Sequence, residues 1–228
     1  MRITLLKLPL TPRNRLWFAA AVALWVTLVY GLVGQWSLHL SPRTLPLSRI
    51  DRWVPFWPDS FWVYASIYLV YALSCILQRE LKTFRVFLYA YSLAYVGSAL
   101  FFLAYPTTFP RQLFPVTVSD TASLGAQGLS WFRTFDHPTN CLPSMHVASV
   151  TMAALPFYGQ KRKTFVAFAV WGTAIAVSTL TTKQHYVIDV VAGSLYGWVC
   201  YRGAHWLFSH DPSLHTSLNS EPRSPRAS

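Results

Sequence analysis

Charge is scarce in this sequence, and acidic charge is the scarcest. Only 12% of the 228 residues are charged, with eight Asp and Glu against nineteen Lys and Arg. A water-soluble domain of this size carries about a quarter charged residues, so much of this surface must face something other than water. Cysteine is also sparse. Cys75, Cys141 and Cys200 are scattered without metal-ligand spacing and make no disulfide framework. Cys75 and Cys200 fall inside apolar runs and read as small core hydrophobes. There is no H-E-x-x-H, which a zinc protease would need. The clustered carboxylates of a Mg²⁺ site are missing too. No internal repeat and no second domain are visible. The net charge of +11 comes in short clusters between apolar runs, without a basic stripe or a nucleic-acid module, which argues against nucleic acid as a partner.

What the chain has instead is apolar and aromatic. Hydrophobic residues make up 53% of it, and ten Trp and twelve Tyr suit a membrane interface. A helix needs about 20 apolar residues to cross the hydrocarbon core. Six runs are candidates: Leu16 to Trp36, Phe61 to Leu77, Val86 to Tyr105, Met145 to Tyr158, Phe165 to Thr181 and Tyr186 to Phe208. The fourth is short, contains Pro156, and reads equally as a buried or re-entrant helix. The first follows Arg13 and Arg15 like a signal peptide, but it is longer than a secretory apolar region and "GLVGQWSLHL" has no A-x-A site. It reads as a retained anchor.

The expected architecture is therefore an all-α, polytopic six-transmembrane helix bundle. Residues 1–15 form a basic cytoplasmic lead, 16–208 the membrane domain and 209–228 a polar, Pro/Ser-rich tail expected to be disordered. Six spans put both termini on one side. Lys and Arg number 13 on that side and 6 on the other, so the termini are expected in the cytoplasm of a bacterial inner membrane, with the site on the periplasmic face. On the outer side, Trp53, Trp57 and Trp62 suit the headgroup level, and the long loop 106–143 has the length of a functional segment.

Ionisable residues in or beside a membrane span are costly and default to functional candidates. His146, His185 and Asp189 stand out. His185 and Asp189 lie i, i+4, on one face of a helix, so Asp189 can accept the Nδ1–H and leave Nε2 free as nucleophile or base. In "PSMH", Pro143 suits a first helical turn and Ser144 a cap. Such a helix start offers free N–H groups to a phosphate, and His146, one turn in, can protonate a leaving oxygen. Lys183 and Arg111 can supply positive charge. Arg133 is a weaker candidate, and Asp136 and Asn140 read as turn-formers. Each motif also has a bland reading, as a capped helix, a buried hydrogen-bonded His or an interfacial cation. Together they meet what a trapped phosphate needs.

These residues resemble the type 2 phosphatidic acid phosphatase superfamily of lipid phosphate phosphatases and phosphotransferases. Its P-S-G-H motif is matched by Pro143, Ser144, Met145 and His146, with Met for Gly. Its S-R-x5-H-x3-D motif is matched by Ser178, His185 and Asp189, with Thr179 for the Arg. The first motif, K-x6-R-P, is absent. Instead "YPTTFPRQ" resembles a Y-P-x-x-P-P-R segment of a branch that includes inositol phosphorylceramide synthases. The resemblance, over roughly residues 60–208, implies His185 as the nucleophile forming a phosphohistidine, Asp189 orienting it, and His146 as general acid and then base. It implies Ser144, Arg111, Lys183 and Ser178 on the phosphate, and no metal or other cofactor.

The expected function is hydrolysis of a lipid phosphate monoester or diphosphate, with the bilayer and the lipid as partners and oligomeric state open. Two alternatives remain: a phosphotransferase that uses an alcohol acceptor, and a non-enzymatic lipid-binding or transport protein. The absence of transporter-like repeats counts against the second alternative.

Overall fold

The computed structural model describes residues 9–117, 119 and 122–210. Most of the basic lead, residues 1–8, and nearly all of the expected tail, residues 211–228, lie outside the described residues. The fold is 71% helical. In chain order come α1 (Arg15–Ser37), α2 (Arg49–Trp53), α3 (Phe61–Ala65), α4 (Ile67–Leu77), α5 (Leu81–Ala104), α6 (Leu124–Phe132), α7 (Met145–Ala154), α8 (Arg162–Thr181) and α9 (Val187–Ser209). A short parallel ladder joins β1 (Arg43–Thr44) to β2 (Thr107–Thr108) and is the one departure from an all-α reading.

The ten-residue helix α7 holds the centre. Of the ten residues of α7, all but His146 and Thr151 are buried, and the helix packs against α4, α5, α8 and α9. Small side chains allow this. Gly193 and Gly197 of α9 lie one turn apart against the backbone of Ser144 and Ala148, and Gly172 of α8 lies against Val150. A small-x-x-x-small stripe of this kind is how helices approach closely inside a bilayer. The helix then tightens into a 3₁₀ turn at Leu155–Phe157, where Pro156 lacks the N–H needed to continue α-helical bonding.

The outer faces of the bundle are apolar. Leu24, Leu28 and Leu32 of α1, Val166, Val170 and Val177 of α8, and Val191 and Leu195 of α9 are all exposed. Single exposed apolar residues are ordinary, but continuous apolar faces are what hydrocarbon requires. Among the described residues, four helical stretches are long and apolar enough to cross a membrane: Arg15–Leu40, Pro58–Leu77, Leu81–Ala104 and Arg162–Thr181. Met145–Phe157 is apolar but shorter. α9 is long enough at 23 residues, but Asp189, Arg202 and His205 dilute its hydropathy.

At one end of the bundle the two long connections tie to each other and to the helices. β1–β2 pairing joins them, and the Tyr186 hydroxyl accepts from Leu45 N–H at 3.1 Å while donating to Thr108 C=O at 2.9 Å. Ser48 and Asp51 form a capping box on α2. At the opposite end the Arg15 guanidinium donates to the carbonyls of Cys75, Ile76 and Gln78, the last turn of α4, where a cation is favoured by the helix dipole.

Candidate active site

His185 sits in the turn between α8 and α9, two residues after Lys183, whose φ is +53°. A left-handed non-glycine residue is uncommon and marks a turn held in place by its surroundings. The Thr179 carbonyl takes the amides of Gln184 and His185 at 3.0 and 3.3 Å, fixing the turn to the last turn of α8. The His185 ring is 5% exposed. Its Nδ1 lies 3.1 Å from the Cys141 carbonyl and 3.2 Å from Asp189 Oδ2. Both neighbours are acceptors, so Nδ1 must carry the proton and Nε2 is the atom with the free lone pair. The expected His185–Asp189 contact is present. Asp189 Oδ2 also accepts the Tyr186 amide at 2.9 Å, which stops the carboxylate from rotating away.

His146 stands in the first turn of α7, its ring 6.0 Å from that of His185 and tilted by 58°. It stacks on Tyr64 of α3 at 4.3 Å. The start of α7 is tied to the start of α9, because the Ser144 amide donates to the Asp189 carbonyl at 3.1 Å. Ser144 is the N-cap and accepts from the Val147 amide at 3.4 Å. The first N–H groups of an α-helix have no partner within it, so Met145 and His146 present theirs at the helix start. Pro143 precedes the cap, following a cis peptide bond, and is not in the first turn as expected.

Two guanidiniums flank this centre. Arg111 ion-pairs with Asp136, Nη2 to Oδ2 at 2.6 Å, and also donates to the Asp136 carbonyl. Arg133 donates to the Phe114 and Thr182 carbonyls at 2.9 Å each. Burial, and then the neighbouring Arg111, pull the Arg133 pKa down to about 10. The Nε of each guanidinium is buried without a hydrogen-bond partner.

Two expected phosphate ligands are engaged elsewhere. The Lys183 ammonium is turned away to the Asp51 and Val54 carbonyls, at 2.8 and 2.6 Å, with the Phe114 ring 4.9 Å off. Burial pulls its pKa down. The Ser178 hydroxyl donates to the Ile175 carbonyl at 2.6 Å, one turn back in its own helix. Cys141 supplies the carbonyl that holds His185. Asp136, read as a turn-former, is the counter-ion of Arg111. Asn140 has φ +62°, in keeping with its turn role. Asp51 carries no sequence signal for a contact with α9, yet its carboxylate accepts the Val187 amide at 2.8 Å and so caps α9 from 136 positions away. The proximity of Ser48 signals the capping box but not this second bond.

Cys141, His185 and Asp189 are the described residues whose donor atoms are close enough to share a metal ion, all within 4.8 Å. In this arrangement Nδ1 is already taken by two hydrogen bonds. Burial also pushes the Cys141 thiol well above its ordinary pKa.

Fold and centre together define a class: a helical membrane protein with two imidazoles, a buried carboxylate and two guanidiniums gathered at one end. The sequence pattern of the PAP2 superfamily matches residues 59–202, and the chain belongs to that superfamily, which makes it lipid phosphatase- or phosphotransferase-like. Over 74 residues it is 35% identical to an uncharacterized protein of Methanocaldococcus jannaschii, covering 32% of this chain and 30% of that relative's length. No solved structure matches.

Proposed function

We propose that this chain is a six-span lipid phosphatase that cleaves a lipid phosphate monoester or diphosphate through a phosphohistidine on His185, without a metal. The observation that carries the reading is the double lock on His185 Nδ1. It makes Nε2 the nucleophilic nitrogen and sets a buried carboxylate ready to stabilise the cation formed on attack.

In the first step Nε2 attacks phosphorus, a P–N bond forms and the P–O bond to the lipid breaks. Protonated His146 gives its proton to the leaving oxygen. In the second step neutral His146 takes a proton from water as it attacks phosphorus, the P–N bond breaks and inorganic phosphate leaves. Arg111, Arg133 and the amides at the Ser144 cap balance the charge on the phosphoryl oxygens. Lys183 and Ser178 are left out of this cradle; Lys183 ties the turn that carries His185 to the α2 segment, and Ser178 bonds back within α8.

The test is ³²P trapping with the full chain in detergent. Acid-labile, base-stable label on the wild type, enhanced in His146→Ala and lost in His185→Ala, is the expected result. An active preparation that never labels would overturn the covalent mechanism. Activity surviving EDTA is expected, while loss on chelation that a divalent ion restores would overturn the metal-free part. The segment Tyr105–Arg111, with its likeness to Y-P-x-x-P-P-R, favours a second reading as a phosphotransferase. In that case phosphate release stops when no acceptor alcohol is supplied.

A further inference from the structure

A cavity of about 570 Å³ runs between α1, α4, α5 and α7, with His146 in its wall. Its α1 wall extends from Gln35 to Ala23, about 18 Å along the helix at 1.5 Å per residue. That wall lies outside residues 59–202, so it is not part of the stretch that defines the superfamily. Thr27, Gly31 and Gly34 keep it thin. The facing wall carries Tyr71 and Tyr91, whose hydroxyls donate to the Ala19 and Ser149 carbonyls at 2.9 Å each. With their polar ends turned aside, the rings present carbon to the cavity.

The other end is polar. His146 and Asp136 line it, and Gln35 Nε2 meets His137 Nε2 at 2.8 Å. Asn140, 1% exposed, also lines it. Its Nδ2 makes only a long bond to the Tyr30 carbonyl at 3.5 Å, and its Oδ1 is buried without a partner. A buried acceptor without a donor costs about 1–3 kcal/mol. One end thus suits a headgroup and the other, at membrane depth, suits hydrocarbon.

We infer that this cavity holds one hydrocarbon chain of a lipid phosphate, its phosphate at His146, with α1 as the wall that limits chain length. The inference rests on the phosphatase reading for the placement of the phosphate.

Gly31 provides the test, because a Cβ there would meet no atom within 4 Å. Gly31→Trp therefore starts its side chain in open space at the cavity wall. The probe is a long-chain lipid phosphate with a diazirine at its chain terminus, photolysed on the full-length protein in detergent. Labelling of the α1, Tyr71 and Tyr91 cavity wall is expected, and Gly31→Trp should abolish it. In turnover, the ratio of long- to short-chain kcat/KM should fall at least tenfold in Gly31→Trp. It should hold in Leu32→Trp, whose side chain is 70% exposed on the outer face. Label spread over the outer faces, or an unchanged ratio, would overturn the inference. So would a Gly31→Trp effect confined to oligomeric state, which would make the cavity a helix-docking face. Cavity labelling with no turnover of any lipid phosphate would remove the phosphatase reading and leave the chain site standing.

Discussion

Asp136 holds the guanidinium that an incoming phosphate would use. Its pair with Arg111 is largely shielded, with the side chains 12% and 13% exposed, so the contact is stronger than an open surface pair. A phosphate reaching Arg111 must compete with that carboxylate. Asp136→Asn should therefore tighten inhibition by orthovanadate and lower KM, each by about threefold to tenfold, or up to ~1.4 kcal/mol. If both constants worsen instead, Asp136 positions Arg111 and does not compete with the phosphate. Lys183 gives the opposite case. Its ammonium joins the turn before His185 to the backbone of α2 and the residue after it, and Lys183→Met leaves two carbonyls without their donor. A loss of about 1–3 kcal/mol, read as a drop of several degrees in Tm, is expected with vanadate affinity unchanged. Vanadate affinity falling more than tenfold at constant Tm would return Lys183 to the phosphate. Residue types and spacing made His146, His185 and Asp189 legible in the sequence. The direction of Lys183 was not legible, because its partners lie about 130 positions upstream in a loop without a pattern of its own.

The α7–α9 crossing decides whether the two halves of the centre meet. Ser144 binds the Asp189 carbonyl, and Gly193, one turn further along α9, lies against the Ser144 carbonyl. Gly193→Leu puts a side chain where backbone already stands and must push the cap of α7 outward. Overpacking of this kind costs about 1–3 kcal/mol. The sharper expectation is functional: phosphohistidine trapping should fall by more than tenfold while far-UV helicity stays near the wild-type value. Unchanged trapping would mean that the crossing does not set the distance between the imidazoles. Helix existence was readable from the apolar runs, since α1, α5, α8 and α9 begin and end close to them. The second run is split at Ser66 into α3 and α4, and the fourth ends early at Pro156. Apolar composition does not record either break, because both depend on local backbone bonding.

At the scale of the molecule, the charge asymmetry of the sequence predicts that the end carrying the candidate site faces outward. Thr44, exposed in β1, lies at the end that carries the candidate site, and Gln160, exposed between α7 and α8, lies at the other. In intact cells a membrane-impermeant maleimide should label Thr44→Cys directly and Gln160→Cys only after permeabilisation. Cys75 and Cys141 are buried and Cys200 is half-buried, which keeps the background low. The reverse pattern would invert the topology and put the site on the cytoplasmic face.

The sequence by itself determined that this is a helical membrane protein and that two histidines and a carboxylate belong to one centre. Hydropathy and helical spacing are local properties, written in consecutive residues. Only the tertiary structure decided what surrounds them: Asp136 on Arg111, Asp51 capping α9, the Cys141 carbonyl on His185, and a cavity closed by α1. Those contacts join segments up to 136 residues apart, and close packing of small residues along α7 and α9 is what brings them within bonding distance.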